Sequence, residues 1–166
     1  MILKNKEVES MALHYHLENN ELGLCLACGL MIEGGESGCI AYTNDALTEL
    51  KARGIDEAIL DLFFLGYQLQ HYEYYDVKDV TAVSFLLTIA KYLTQNKIDN
   101  FAKSKKKITS FLHENFFYLR QILSTVFIAE LLNETDSRMC EKLLHQYLTD
   151  IWNTYEEYQE QLIERI

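Results

Sequence analysis

The sequence predicts a mainly α fold of the α+β kind: a bundle of about five helices around one central buried helix at residues 79–93, with a small N-terminal β-meander over residues 11–42. Three observations lead there. The stretch Asp79 to Leu93, DVTAVSFLLTIAKYL, is apolar almost all the way round, which gives it neighbours on several sides. All seven glycines, at 23, 29, 34, 35, 38, 54 and 66, fall in the first 66 residues and there is no proline, so the chain from Tyr67 onward reads as long helices joined by short polar loops. Residues 11–18 instead alternate apolar and polar side chains, the period of a half-buried strand.

In the meander, Met11, Leu13, Tyr15 and Leu17 alternate with Ala12, His14, His16 and Glu18, and Asn19-Asn20 then turns the chain. Leu22, Leu24, Leu26, Leu30 and Ile32 share one parity of the next strand, the run Gly34 to Gly38 makes a second break, and Cys39 to Tyr42 forms the third strand. An all-α fold is the alternative. It makes Glu21 to Glu33 a buried helix capped by Asn20 and ended by Gly34, and the lack of β-branched residues between Leu22 and Met31 favours it.

From Thr43 the pattern turns helical. Thr43 or Asn44 caps a short helix, DALTELKAR, that Gly54 closes. Asp56 opens the next, with Ile59, Leu62, Phe63, Gly66 and Leu69 on one face. In the central helix, Val80, Val83, Leu87 and Ala90 take one side, while Phe85, Leu86, Ile89 and Leu93 cover most of the rest. With Lys91 inside it, this segment is too short and too polar to cross a bilayer, which takes about 20 apolar residues. A helix from about Ile108 to Leu132 aligns Phe111, Tyr118, Ile122, Val126 and Ala129. The last starts near Asp136 and carries the stripe Cys140, Leu144, Tyr147, Ile151, Tyr155, Tyr158 and Leu162.

A chain of 166 residues fits a single domain over 1–166, with a Gly/Cys-rich subregion at 1–43 and the bundle at 44–166. The formal net charge of -10 argues against nucleic acid, whose backbone is bound by clustered Lys and Arg, and favours basic partners. The opening MILKNKEVES lacks the apolar run of a secretory leader, so a cytoplasmic location with reduced thiols is expected, and no membrane association.

Chemistry concentrates in the cysteines. Cys25, Cys28 and Cys39 are crowded together and Cys140 stands apart. A C-x-x-C-G turn directs two thiolates at one Zn²⁺, and Cys39 with His14 or His16 would complete four ligands. In an unbroken strand, however, residues three apart face opposite ways, and free cysteine is often simply buried. Packed core thiols are therefore the plainer expectation, and no cofactor is expected. If residues 21–33 were helical, Cys25 would sit in the first turn, where the dipole favours the thiolate of a catalytic nucleophile; its base would come from His71, His113 or His145. The phosphate-loop, dinucleotide, zinc-protease and serine-hydrolase motifs do not occur.

Two Tyr-and-acid clusters supply a binding surface: Tyr72, Glu73, Tyr74, Tyr75 and Asp76, and then Tyr155, Glu156, Glu157 and Tyr158. Tyrosine gives a large contact area with a polar tip, and carboxylates between the rings suit a basic partner. The only basic cluster, Lys103 to Lys107, reads as a solvated break. A small acidic interaction module that binds, inhibits or chaperones a basic protein is thus the expected function, more readily than an enzyme. A thiol-dependent enzyme using Cys25 and a zinc-stabilised domain are the alternatives, and a homodimer formed through the tyrosine stripe of the last helix is compatible with each.

Overall fold

The computed structural model describes residues 22–124, 126 and 128–166. Strand β1 (Leu22–Leu24) pairs antiparallel with β2 (Met31–Glu33), with Gly23 opposite Ile32. Helices α1 (Gly35–Ala52), α2 (Glu57–Gln70), α3 (Asp79–Gln95), α4 (Lys105–Glu114), α5 (Ile128–Asn133), α6 (Ser137–Thr154) and α7 (Gln159–Ile163) follow. The fold is mainly α with a minor two-stranded sheet, as the sequence predicts.

Helix α3 is the centre. Ala82, Val83, Leu86, Leu87, Ile89 and Ala90 are fully buried, and the helix packs against α2, α4, α6 and α7. Complete burial of one such aliphatic side chain contributes about 1.5–3 kcal/mol. Val80 is the exception to the apolar circumference, exposed at the first turn. Beside α3, the caps of α2 and α6 are the predicted ones: Asp56 accepts from the Ala58 N–H at 2.8 Å, and Asp136 from the Arg138 N–H at 2.8 Å. None of the described helices is long and apolar enough to cross a membrane.

Three segments differ from the sequence expectation. Cys39 to Tyr42, expected as a third strand, lies in α1, which starts at Gly35 rather than near Thr43. The glycine run is the start of a helix pressed onto the hairpin. A Cβ on Gly38 would sit 1.8 Å from the Glu33 carbonyl oxygen, so only glycine lets the first turn of α1 approach β2 this closely. The alternative helix over 21–33 is also not formed over its described part, where β1, a turn and β2 stand instead. The first strand of the meander, at 11–17, lies outside the described residues.

The helix expected over 108–132 is divided. Asn115 ends α4: it adopts extended backbone, and its backbone N–H and its side-chain amide both donate to the Phe111 carbonyl at 3.0 Å. An irregular stretch then crosses the core, burying Phe117, Ile122 and Val126 while Tyr118 faces solvent, before α5 begins. The last helix is interrupted as well, by a 3-10 turn at Glu156–Tyr158 between α6 and α7. Its stripe of Cys140, Leu144, Tyr147, Ile151, Tyr155, Tyr158 and Leu162 is buried throughout. That stripe is consumed by the core.

Candidate metal centre

After β1 the chain turns at once, and this turn builds half of the site. The Cys25 N–H donates to the Leu30 carbonyl at 2.8 Å and the Gly29 N–H to the Cys25 carbonyl at 2.7 Å. Gly29 takes φ 79, a left-handed conformation that glycine adopts without penalty. The strand therefore ends before Cys28, and the objection that residues three apart face opposite ways does not apply. Cys39 joins from α1, directly after the tightly packed Gly38. The fourth member is His71, which terminates α2.

The side chains of Cys25, Cys28, Cys39 and His71 present four ligand atoms that all lie within 4.8 Å of one another. Cys28 Sγ is 3.7 Å from Cys39 Sγ, and His71 Nε2 is 3.3 Å from Cys25 Sγ and 3.6 Å from Cys39 Sγ. A tetrahedral zinc with Zn–S of about 2.3 Å and Zn–N of about 2.0–2.1 Å has S···S edges of about 3.8 Å and S···N edges of about 3.5 Å. These three separations lie close to those edges. No member exceeds 4% exposure.

His71 is held in the orientation a ligand needs. Its Nδ1 lies 3.0 Å from the Tyr67 carbonyl oxygen, which only accepts, so Nδ1 carries a hydrogen and Nε2 faces the sulfurs, with its lone pair free for a metal once the ring is neutral. The Tyr67 ring stacks on the imidazole with centroids 3.9 Å apart, and the Tyr67 hydroxyl donates to Cys39 Sγ at 3.1 Å. Burial, with Cys39 beside it, pushes that hydroxyl above the usual tyrosine range, so it remains a donor.

The metal-free cluster carries separated charge. The facing thiols of Cys28 and Cys39, and then His71, hold Cys25 far below the ordinary thiol range, while Cys28 and its proton are pushed far up. Burial disfavours the His71 imidazolium, but Cys25 and Cys39 more than offset this and raise it to about 9. Thiolate and imidazolium in contact are also what a cysteine nucleophile requires. Two features oppose that use: Cys25 has no exposed surface, and it lies in a turn rather than at a helix start, so no helix dipole acts on it.

The structure thus assembles three of the predicted candidates, Cys25, Cys28 and Cys39. His14 and His16 lie outside the described residues. His113 and His145 are on exposed surface, and Cys140 is buried elsewhere, its thiol 3.7 Å from the Leu131 carbonyl. His71 as a ligand was missed because no spacing rule links it to Cys25, 46 residues earlier. The available sign was its place on the buried i, i+4 row Phe63, Tyr67, His71, where a polar ring requires a partner.

Of the Tyr-and-acid clusters, the first stays at the surface: Glu73, Tyr74 and Asp76 are exposed, and Tyr72 and Tyr75 half-buried. The second is different. Tyr155 and Tyr158 are core side chains, Tyr158 donating to the Phe116 carbonyl at 2.7 Å, Glu157 is paired with Arg120, and Glu156 is exposed. In comparisons with family models, curated proteins and solved structures, nothing matches this chain.

Proposed function

We propose that this protein is a zinc-stabilised helical domain that holds one Zn²⁺ through Cys25, Cys28, Cys39 and His71. The agreement of three separations among the four ligand atoms with the edges of one tetrahedron, all four lying within 4.8 Å of one another, carries the reading. Packed thiols would account for three buried sulfurs. They do not account for a buried imidazole whose Nε2 is aimed between two of them in a site closed to water. A dication accounts for that placement, and the protons of the thiols and of Nε2 leave to solvent as it binds.

Four protein ligands and full burial suit a structural centre rather than a catalytic one, which keeps a position open for water. The ion ties the hairpin and α1 to the end of α2, and a reducing, cytoplasmic compartment keeps the thiols available to it. The test is metal content of the purified full chain, together with Co²⁺ substitution. One zinc per chain and a thiolate-to-cobalt charge-transfer band that Cys39→Ser diminishes are expected. A metal-free protein whose added Co²⁺ gives no such band would overturn the reading.

A second reading concerns what this scaffold presents. Glu73, Tyr74 and Asp76 stand exposed immediately after His71, on a chain of net charge -10. This supports binding of a basic protein partner, with inhibition or chaperoning of it as the outcome. Charge reversal at Glu73 and Asp76 should slow association and flatten its salt dependence, whereas unchanged binding at low salt would remove this surface from consideration.

A further inference from the structure

His71 belongs to two places at once. Its Nε2 faces Cys25 and Cys39, and the same residue lines a cavity of about 400 Å³ whose other walls include Leu26, Ala27, Glu36, Gln70 and Glu73. The turn carrying Cys25 and Cys28, the first turn of α1 and the end of α2 therefore meet around both the four-ligand cluster and this cavity. Among the described residues, the titratable groups on its wall besides His71 and Tyr72 are two carboxylates, and neither Glu36 nor Glu73 is in an ion pair. The C-terminal end of α2 adds the partial negative charge of its last carbonyls.

The geometry points to this cavity as the path by which a divalent cation reaches and leaves the centre, with Glu36 and Glu73 as transient carboxylate ligands that draw the ion to His71. The inference rests on the zinc reading and extends it from where the ion is held to how it arrives. Two independent features call for the same dication: the soft, sealed donor set beneath, and the hard, unpaired carboxylates beside it. Thiolates alone, closed to water, would capture zinc slowly. A negatively charged mouth raises the local cation concentration, an effect on association rates of about 10- to 1,000-fold that ionic strength removes. One clamp closes the path: the Gln121 side-chain amide donates to the Leu26 carbonyl at 3.0 Å, tying the irregular stretch after α4 across the metal-binding turn.

The test uses the full chain loaded with Co²⁺ and follows its replacement by excess Zn²⁺ through loss of the thiolate-to-cobalt absorption, so the protein remains folded around a metal. The double variant Glu36→Gln, Glu73→Gln should exchange about tenfold more slowly at low salt, with the gap closing at high salt. Removing two exposed carboxylates outside the cavity, by Glu141→Gln and Glu164→Gln, should leave the rate at the parent value. Gln121→Ala should act in the opposite direction and speed exchange. Parent-like exchange by the Glu36, Glu73 variant at low salt, or slowing of equal size at every salt, would overturn the path while leaving the zinc reading intact. A parent chain that forms no thiolate–cobalt complex would overturn both.

Discussion

Tyr67 and His71, one helical turn apart, are joined twice: their rings stack with centroids 3.9 Å apart, and His71 Nδ1 donates to the Tyr67 carbonyl at 3.0 Å. Because the Tyr67 hydroxyl also reaches Cys39 at 3.1 Å, one residue positions two of the four ligands. Tyr67→Phe keeps the ring and the carbonyl and removes only the hydroxyl. It is expected to weaken zinc binding about tenfold in chelator competition while leaving helix content unchanged. Equal affinity in the two proteins would show that the hydroxyl does not support Cys39.

Removing zinc should loosen one side of the molecule. The ligands sit on the hairpin, α1 and the end of α2, whereas α3 is buried by α2, α4, α6 and α7. Hydrogen exchange after chelation is expected to accelerate over residues 22–52 and to stay slow in α3. Uniform loss of protection would mean that the ion supports the entire fold.

Stability of the zinc-free chain should depend on pH in three stages. Cys25 is depressed from an ordinary 9.0, so its contribution falls away as pH drops; His71 is raised from 6.5 to about 9, so its contribution is complete below 6.5 and is lost as pH rises through about 9. Between those limits the unfolded chain keeps the Cys25 proton and the folded chain the His71 proton, and the two effects cancel. Above them Cys28, which holds its proton only when folded, adds a further loss. Urea unfolding should therefore show stability rising up to about pH 6.5, level to about 9 and falling beyond. Zinc should abolish the plateau's alkaline edge, since a metal-bound Cys28 is already a thiolate and has no proton left to hold. A zinc-free profile that falls steadily from pH 6 would contradict the thiolate–imidazolium pair.

Gly38→Ala tests how Cys39 is placed. The added Cβ has the Glu33 carbonyl 1.8 Å away and no flexible side chain to displace, so the first turn of α1 must shift. A loss of about 1–3 kcal/mol in stability is expected, as for other overpacked contacts, together with weaker zinc retention. Normal retention would mean that Cys39 tolerates the shift.

Leu87→Ala and Val80→Ala separate core from surface on α3. Leu87 is fully buried and Val80 is 54% exposed. The first should lose about 2–5 kcal/mol by denaturant unfolding and the second about 0.5 kcal/mol or less. Similar losses would deny α3 its place at the centre.

The helical frame was legible because its causes are local. The apolar circumference of 79–93, the caps Asp56 and Asp136 and the i, i+3, i+4 stripe of the last helix are each written within a few turns of chain. The breaks were not, since Asn115 ends α4 by turning to extended backbone while its side-chain amide joins its N–H on the Phe111 carbonyl, and the aromatic residues after it gain more from the core than from continuing a helix. Glycines 34 to 38 read as a loop because their function, close approach of α1 to β2, depends on a neighbour that no local pattern reveals. For the same reason the sequence supplied the three cysteines and not His71, which tertiary structure alone brings to them.

The order of ligands along the chain also governs when the centre can close. Cys25, Cys28 and Cys39 leave the ribosome well before His71, which follows Cys25 by 46 residues at the end of α2. On the zinc reading, the nascent chain would first offer an incomplete, three-thiol grip, and the lock would be finished only when α2 had been made and laid against the hairpin. Zinc capture would thus report that the N-terminal half has reached its native arrangement before the last helices emerge.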